Sequence, residues 1–336
     1  MKIFVIGENL EKSKHKESNE FKNQPWIVDT LKNDIISQFP DKFTKNPEKA
    51  DIIWFIAPWK YTYFERLQKK YLNKTKEQWK HIFRTKRVIF TMHHIDIQKM
   101  YQLEEQFIFM KMYGDRFHAI CKNTQLSMEK YFPIEKIFSK GFWINPSKFY
   151  SATPQEKINI RAKFNFNTQA YLIGSFQKDS EGKTDLPKLS KGPDLFVNIV
   201  QDMLKNNKNI EVVLTGLRRK FIINRFKKLN IKYHYFNMVS SEDLSRLYRC
   251  LDLYIVSSRC EGGPYTILEA GISRTPLIST KVGVAPELCH PESLFDADNW
   301  VSYREALPKV EHLYNNVHQL SKDKYKEEFL KSLTQT

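Results

Sequence analysis

Short apolar runs alternate with helix-length amphipathic segments from one end of the 336-residue chain to the other. Apolar runs of strand length separated by helical segments are the pattern of parallel sheets covered by helices, so the class is α/β. In the first half the strand candidates are Lys2–Ile6, Asp51–Ala57, Arg87–Met92 and Phe117–Cys121, separated by helical segments such as Trp26–Phe39 and Asn123–Phe132. In the second half they are Tyr171–Gly174, Glu211–Thr215, Lys232–Phe236, Leu253–Val256 and Leu277–Ser279. A single core stops growing near ~250–300 residues, so a chain of this length divides into two such units. The polar stretch Asn145–Lys163, rich in Ser, Pro, Asn and Gln, is the expected junction.

Composition excludes several classes. No stretch approaches the ~18 consecutive apolar residues of a membrane-spanning helix. The start, Met1-Lys2-Ile3-Phe4-Val5-Ile6-Gly7, is too short an apolar run for a signal peptide and reads as a first buried strand. The four cysteines, Cys121, Cys250, Cys260 and Cys289, show neither CxxC nor His-rich spacing, so no disulfide framework or zinc site is indicated and a cytoplasmic chain is expected. The net charge of +16 is uneven, because residues 1–150 hold 27 Lys/Arg against 17 Asp/Glu. Within Lys60–Arg87 ten basic residues interleave with Tyr61, Tyr63, Phe64, Tyr71, Trp79 and Phe83. Such a stretch can lie on an anionic membrane surface as a peripheral contact, and its plain alternative is a solvated, lysine-rich helical face.

Chemistry is concentrated in the second half. Eight of the eleven glycines fall at or after Gly174, and Gly174, Gly216 and Gly283 sit at or near strand ends, where open parallel sheets hold ligands. The strongest signal is Ser257-Ser258-Arg259-Cys260-Glu261-Gly262-Gly263-Pro264-Tyr265-Thr266-Ile267-Leu268-Glu269, directly after the strand Leu253–Val256. It reads as a strand, a glycine turn and a helix opened by Pro264 at its first position. Amides at such a helix start form an anion site suited to a diphosphate. Glu269 lies roughly 7–8 Å further along the helix at 1.5 Å per residue, where an attached ribose reaches, while Glu261 faces the sugar end; the plain alternatives are a helix-dipole partner for Glu261 and a solvated helix residue for Glu269. Lys191, before the helix opened by Pro193, opposes that helix's dipole unless an anion sits between them.

These residues resemble the E-x7-E motif of the retaining glycosyltransferase family 4 (group 1), and the stretch from Gly174 to Leu288 resembles it further in Ser190-Lys191-Gly192-Pro193-Asp194 and Val282-Gly283-Val284-Ala285-Pro286-Glu287. The resemblance implies a GT-B fold: two facing Rossmann-like domains with parallel sheets and an interdomain cleft. It implies an acceptor-binding domain over 1–155, a nucleotide-sugar-binding domain over 156–305, and C-terminal helices over 306–336 crossing back to the first domain. By the same resemblance Glu261 contacts the donor sugar, Glu269 the ribose and Lys191 the leaving diphosphate. Gly174, Ser175, Lys178, Gly216, Gly262, Gly263, Pro264, Tyr265 and Thr266 complete the donor site. The family's arginine after the first C-domain glycine is Ser175 here, so Lys178, Arg218 or Arg219 is left to supply a second cation.

In the first half, His93 and His94 follow the strand Arg87–Met92, where the family often has a histidine touching the donor sugar; the pair is not separated by sequence. Gly7, Glu8 and Asn9, after the first strand, are the acceptor candidates. Asp296-Ala297-Asp298 spells a metal-chelating DxD but lacks the context of the fold that uses it, and is read as a loop. The expected activity is transfer of a sugar from a nucleotide-diphosphate sugar to an acceptor hydroxyl on a glycan, polysaccharide or glycolipid, retaining, with no metal and no cofactor. The alternatives are a GT-B-type sugar-nucleotide epimerase and a basic protein that binds or glycosylates nucleic acid.

Overall fold

The structure, a computed structural model, describes residues 1–7, 27–58, 64–70, 74–96, 100–101 and 103–335. Its strands are β1 (Ile3–Ile6), β2 (Ile52–Phe55), β3 (Arg87–Met92), β4 (Arg116–Ala119), β5 (Ile137–Ser139), β6 (Tyr171–Ser175), β7 (Ile210–Thr215), β8 (Tyr233–Phe236), β9 (Leu253–Val256), β10 (Leu277–Thr280) and β11 (Leu294–Phe295). Its helices are α1 (Ile27–Gln38), α2 (Phe64–Lys70), α3 (Lys76–Thr85), α4 (Glu104–Tyr113), α5 (Lys122–Met128), α6 (Pro154–Lys163), α7 (Pro193–Asn206), α8 (Lys220–Lys228), α9 (Ser241–Cys250), α10 (Tyr265–Ile272), α11 (Ala285–Leu288), α12 (Val310–Gln319) and α13 (Asp323–Thr334). Two compact units result: Met1–Trp143 with Asp323–Thr336, and Ile144–Lys322.

The first unit is a parallel sheet in the order β1-β2-β3-β4-β5. Register places Phe55 beside Phe90 and Phe90 beside Phe117. The three rings form a row on one face, with centroids 4.5 Å and 6.5 Å apart. Phe83 of α3 and Phe109 of α4 pack edge-on or tilted over this row. Neighbouring residues point to the opposite face, and there a buried relay runs from Trp54 to Thr91 to His118. Trp54 Nε1 donates to Thr91 Oγ1 at 2.8 Å, Thr91 Oγ1 lies 3.0 Å from His118 Nδ1, and His118 Nε2 donates to the Lys140 carbonyl at 2.7 Å. Burial pushes the His118 imidazole down to about 3, so it stays neutral, with Nε2 protonated and Nδ1 accepting.

Helix α13 closes this second face. Phe329, fully buried, meets Trp54, His118, Phe142 and Trp143 at centroid distances of 5.1–5.8 Å. Lys326 pairs with Asp34 at 3.0 Å, and Arg87 and Arg116 donate to the carbonyls of Ser332, Thr334 and Gln335. The last carbonyls of a helix have no partners within it, and two cations at that end also suit its dipole.

The second unit is a parallel sheet in the order β11-β10-β9-β6-β7-β8. The chain builds outward from β6 through β7 to β8, then returns to the other side of β6 as β9. The order therefore reverses between β6 and β9, the point at which open α/β sheets part their loops and hold ligands. Behind the sheet, α10 packs on α12 so closely that a Cβ on Gly271 would stand 2.8 Å from Val317 Cγ2.

Three sequence expectations are adjusted. The stretch Asn145–Lys163 is not a plain linker: Thr153 and Glu156 form a reciprocal capping box that starts α6, and Arg161 anchors that helix by donating to the Cys250 carbonyl and to Asp252. The unit boundary accordingly falls before it. Strands β5 and β11 escaped notice because they are only three and two residues long. In the basic stretch Lys60–Arg87, Trp79 and Phe83 are buried in the first unit's core while Lys76 and Arg84 are exposed, so α3 turns its rings inward and its cations outward. Tyr61, Tyr63 and Tyr71 lie outside the described residues, as do Glu8 and Asn9. Among the described residues no helix is long and apolar enough to cross a membrane.

The placement of Phe329 yields a prediction. Phe329→Ala should cost about 3–5 kcal/mol, the usual penalty for emptying a buried aromatic site. Urea unfolding followed by Trp54 and Trp143 fluorescence should show a correspondingly lower midpoint, and an unchanged midpoint would refute the docking of α13.

Candidate functional site

Four segments meet at the reversal between β6 and β9: the loop after β6, the turn Ser257–Pro264 after β9, the start of α10, and the turn after β10. Two glycines make their contact possible. Gly192 has φ +57°, and a Cβ there would stand 1.7 Å from the Ser257 carbonyl oxygen. Gly283 has φ +54°, and its Cβ would stand 1.9 Å from the Gly262 carbonyl oxygen. Any side chain at either position would push the loops apart.

Hydrogen bonds then lock the loops together. The Ser190 carbonyl accepts the amides of Arg259 and Cys260 at 2.9 and 3.0 Å. Arg259 forks onto both carboxylate oxygens of Asp194 at 2.7 and 2.6 Å. Gln177 donates to the Lys191 carbonyl at 2.9 Å and accepts from Ser258 Oγ at 3.2 Å. The consequence is that Lys191, closing the 3-10 turn Leu189–Lys191, reaches the Glu261 carboxylate and pairs with it. Burial pushes the Lys191 ammonium down to about 7, with Lys188 and Lys178 acting the same way and Cys260 opposing them.

Glu269, on the fifth residue of α10, is buried. Tyr248 donates its hydroxyl to Glu269 Oε2 at 2.8 Å. Burial pushes this carboxyl up to about 7, partly offset by the Tyr248 hydrogen bond. Phe176 and Tyr254 pack edge-on or tilted against the Tyr248 ring at 4.8 and 5.3 Å, and the Tyr254 hydroxyl accepts the Phe176 amide at 3.0 Å. Thr266 bonds the same Tyr254 hydroxyl.

Lys178, Lys191, Glu261, Gly262, Gly263, Pro264, Tyr265, Thr266 and Glu269 are thus gathered around one sheet end, with small adjustments. Pro264 occupies the N-cap with extended ψ 99°, so the helix begins at Tyr265. Gly174 is closely packed, and a Cβ there would stand 2.2 Å from Leu251 Cδ1, so that leucine would have to shift. Gly216 lies at the end of β7 with φ +95° and open space around it, so its backbone conformation selects glycine.

Ser175 is buried and accepts from Arg219 Nη2 at 3.2 Å. Arg219 itself is wholly buried, with Nε 2.8 Å from Asp179 Oδ2. Its charge is therefore spent inside the fold, which removes it as the second cation for a ligand. Arg218 takes φ +62° and uses its carbonyl to accept the Asp179 and Ser180 amides. Lys178 and Arg218 both remain as second-cation candidates, and Lys178 is close enough to Lys191 to depress it. In the DxD stretch, Asp296 Oδ1 accepts the Asp298 amide at 2.9 Å in a tight turn, as a loop reading predicts.

The remaining candidates lie in the first unit. The structure separates the two histidines: His94 is exposed, whereas His93 is half-buried and donates Nε2–H to the Ile56 carbonyl at 2.8 Å. Burial pushes His93 down to about 4, so it is neutral. Gly7 abuts the same strand end, where a Cβ would stand 2.7 Å from Ile56 Cγ2. Gln177, Ser258 and Tyr248 were not singled out by sequence, because nothing in their local spacing signals that they bridge loops or hold a carboxylate some twenty or more residues away.

Comparison with known proteins bears on the fold and on the second half of the chain. Residues 187–327 match the family Glycosyl transferases group 1. The solved structure of Anabaena Alr3699/HepE in complex with UDP and glucose is similar over 99% of both chains, with a TM-score of 0.70 at 12% identity. Sucrose-phosphate synthase from Thermosynechococcus elongatus is similar over 91% of this chain and 78% of its own, with a TM-score of 0.63 at 12% identity. An uncharacterized protein, 356, of Sulfolobus islandicus rod-shaped virus 1 is 35% identical over 109 residues, which span 32% of this chain and 28% of that relative. The fold is that of the GT-B glycosyltransferases, with two Rossmann-like domains. The family match does not favour the epimerase or nucleic-acid alternatives.

The Tyr248–Glu269 contact can be tested without any ligand. Tyr248→Phe leaves a buried carboxyl without its donor, which costs about 1–3 kcal/mol when the group is ionised. Glu269 has a folded pKa above its unfolded one, so its stabilising contribution is present at low pH and lost as pH rises through about 7. The variant's deficit in urea unfolding should accordingly be larger at pH 8 than at pH 5; equal deficits at both would contradict the assignment.

Proposed function

We propose that the chain is a glycosyltransferase that moves a sugar from a nucleotide-diphosphate sugar to an acceptor hydroxyl, with retention at the anomeric carbon and without a metal. The observation that carries this reading is the meeting of Lys191 and Glu261 at the reversal of strand order, flanked by the start of α10 and by Glu269. The group 1 match over this region and the fold shared with a protein solved with UDP and glucose support it.

In this reading the diphosphate sits at the α10 start, where helix amides favour an anion, and Lys191 with Lys178 neutralises the charge that grows on it as the sugar departs. Glu269 accepts the ribose hydroxyls, held in place by Tyr248. Glu261 accepts hydroxyls of the sugar and tolerates the positive character that develops at the anomeric carbon. The acceptor hydroxyl attacks from the face the diphosphate leaves, and the departing phosphate takes its proton. Acceptor contacts are assigned to Gly7, Glu8 and Asn9, and a donor-sugar contact to His93. A glycan, polysaccharide or glycolipid is the acceptor class, and the outward cations of α3 suit an anionic membrane surface at which a lipid-linked acceptor is presented.

Melting-temperature shifts with UDP-, GDP-, ADP- and dTDP-sugars provide the first test, because a ligand at 100 times its Kd adds about 2.7 kcal/mol. One donor should stabilise the protein, and Lys191→Ala and Glu261→Ala should each reduce transfer at least about 100-fold, the scale for losing a charge-stabilising group. Near-normal turnover in both would defeat the proposal. Affinity should also depend on pH in two limbs. Lys191 must be protonated, so binding weakens as pH rises above about 7. Glu269 must be ionised, so binding weakens as pH falls below about 7. Calorimetry from pH 5 to 9 should give a maximum near neutrality, with Lys191→Met flattening the alkaline limb and Glu269→Gln the acidic one.

A further inference from the structure

We infer that the Lys191–Glu261 ion pair makes this site select an intact sugar nucleotide over the bare nucleoside diphosphate. The inference rests on the donor-site reading above and adds to it a reason for discrimination between substrate and product.

The pair is made within the chain itself. The side chains of Lys191 and Glu261 are only 20% and 13% exposed, so neither group is well served by water. Glu261 is carried by the same turn whose backbone is pressed against Gly283, and its own carbonyl oxygen would lie 2.9 Å from a Cβ on that glycine, so the turn has little room to swing outward. The nearby guanidiniums are committed elsewhere, Arg259 to Asp194 and Arg219 to Asp179. Among the described residues, the cation found against the Glu261 carboxylate is Lys191.

A diphosphate that enters draws the Lys191 ammonium toward itself. Bare nucleoside diphosphate offers Glu261 nothing in return, and a carboxylate stripped of its cation in a largely buried site is strongly unfavourable. It also adds a second negative charge facing the phosphates. A sugar nucleotide brings hydroxyls that donate to the carboxylate as the lysine leaves, so the exchange of partners is completed. After transfer the sugar is gone, Glu261 reclaims Lys191, and the nucleoside diphosphate is released. The bland alternative is that the pair simply tethers two loops, in which case removing the carboxylate would weaken every ligand alike.

Isothermal titration with UDP and with UDP-glucose, or with the GDP, ADP or dTDP pair that gives the larger melting shift, separates these outcomes. Wild type should prefer the sugar nucleotide. Glu261→Gln should bind the bare diphosphate about tenfold tighter than wild type, the scale of one charge-assisted hydrogen bond, while gaining nothing for the sugar nucleotide and losing turnover. Glu261→Ala should shift the preference in the same direction, which guards against a fault particular to the amide. Unchanged or weaker binding of the bare diphosphate in both variants, with the wild-type preference retained, would overturn the inference and leave the donor-site reading standing. If Lys191→Met binds both ligands as wild type does, the donor-site reading itself fails.

Discussion

The reversal of strand order in the second sheet, together with two backbone approaches that only glycine permits, governs everything built at this sheet end. Because β6 and β9 are neighbours whose following segments continue toward opposite edges, their loops part at the strand ends. Gly192 against the Ser257 carbonyl and Gly283 against the Gly262 carbonyl draw them into van der Waals contact. Gln177, Ser190 and Arg259 then hold them by hydrogen bonds to backbone and side chain. Lys191 and Glu261, seventy residues apart in sequence, become partners as a result.

The charges at this end do not serve stability. Lys191 is pushed down by burial and by its neighbouring lysines, and Glu269 is pushed up by burial, so each is less comfortable in the folded chain than in water. Structural ion pairs elsewhere in the unit show the contrast: Asp202, held by Arg304, Tyr303 and Lys205, is driven well below the ordinary carboxylate range. Groups displaced toward neutrality at the mouth of a sheet are those a bound anion or a set of hydroxyls can relieve. Arg219 illustrates the opposite use of a charge. It sits at the same strand end, yet Asp179 and Ser175 consume it, and it anchors the loop that carries Lys191.

The first unit shows how a relay of buried polar groups can be compatible with a dense aromatic core. Trp54 donates to Thr91, Thr91 to His118, and His118 to a backbone carbonyl, so none is left wanting a partner. Phe329 of α13 covers that relay. The C-terminal helix is in this way part of the first unit's core although some 180 residues of the second unit intervene between it and Trp143.

Much of this was legible in the residue order. The alternation of apolar runs located nine of the strands, because a buried strand must be apolar and short, and the Glu261–Glu269 segment announced itself because a glycine pair, a proline and two carboxylates follow a strand directly. What the sequence could not disclose depended on partners distant in the chain: that His93 is turned inward while His94 is not, that Arg219 is spent on Asp179, that Tyr248 holds Glu269, and that Gly174 answers to Leu251. Local periodicity reports which way a residue faces and what its backbone can adopt. Which side chain meets which is settled only when the strand order is chosen, since that order alone brings segments seventy residues apart within reach of one hydrogen bond.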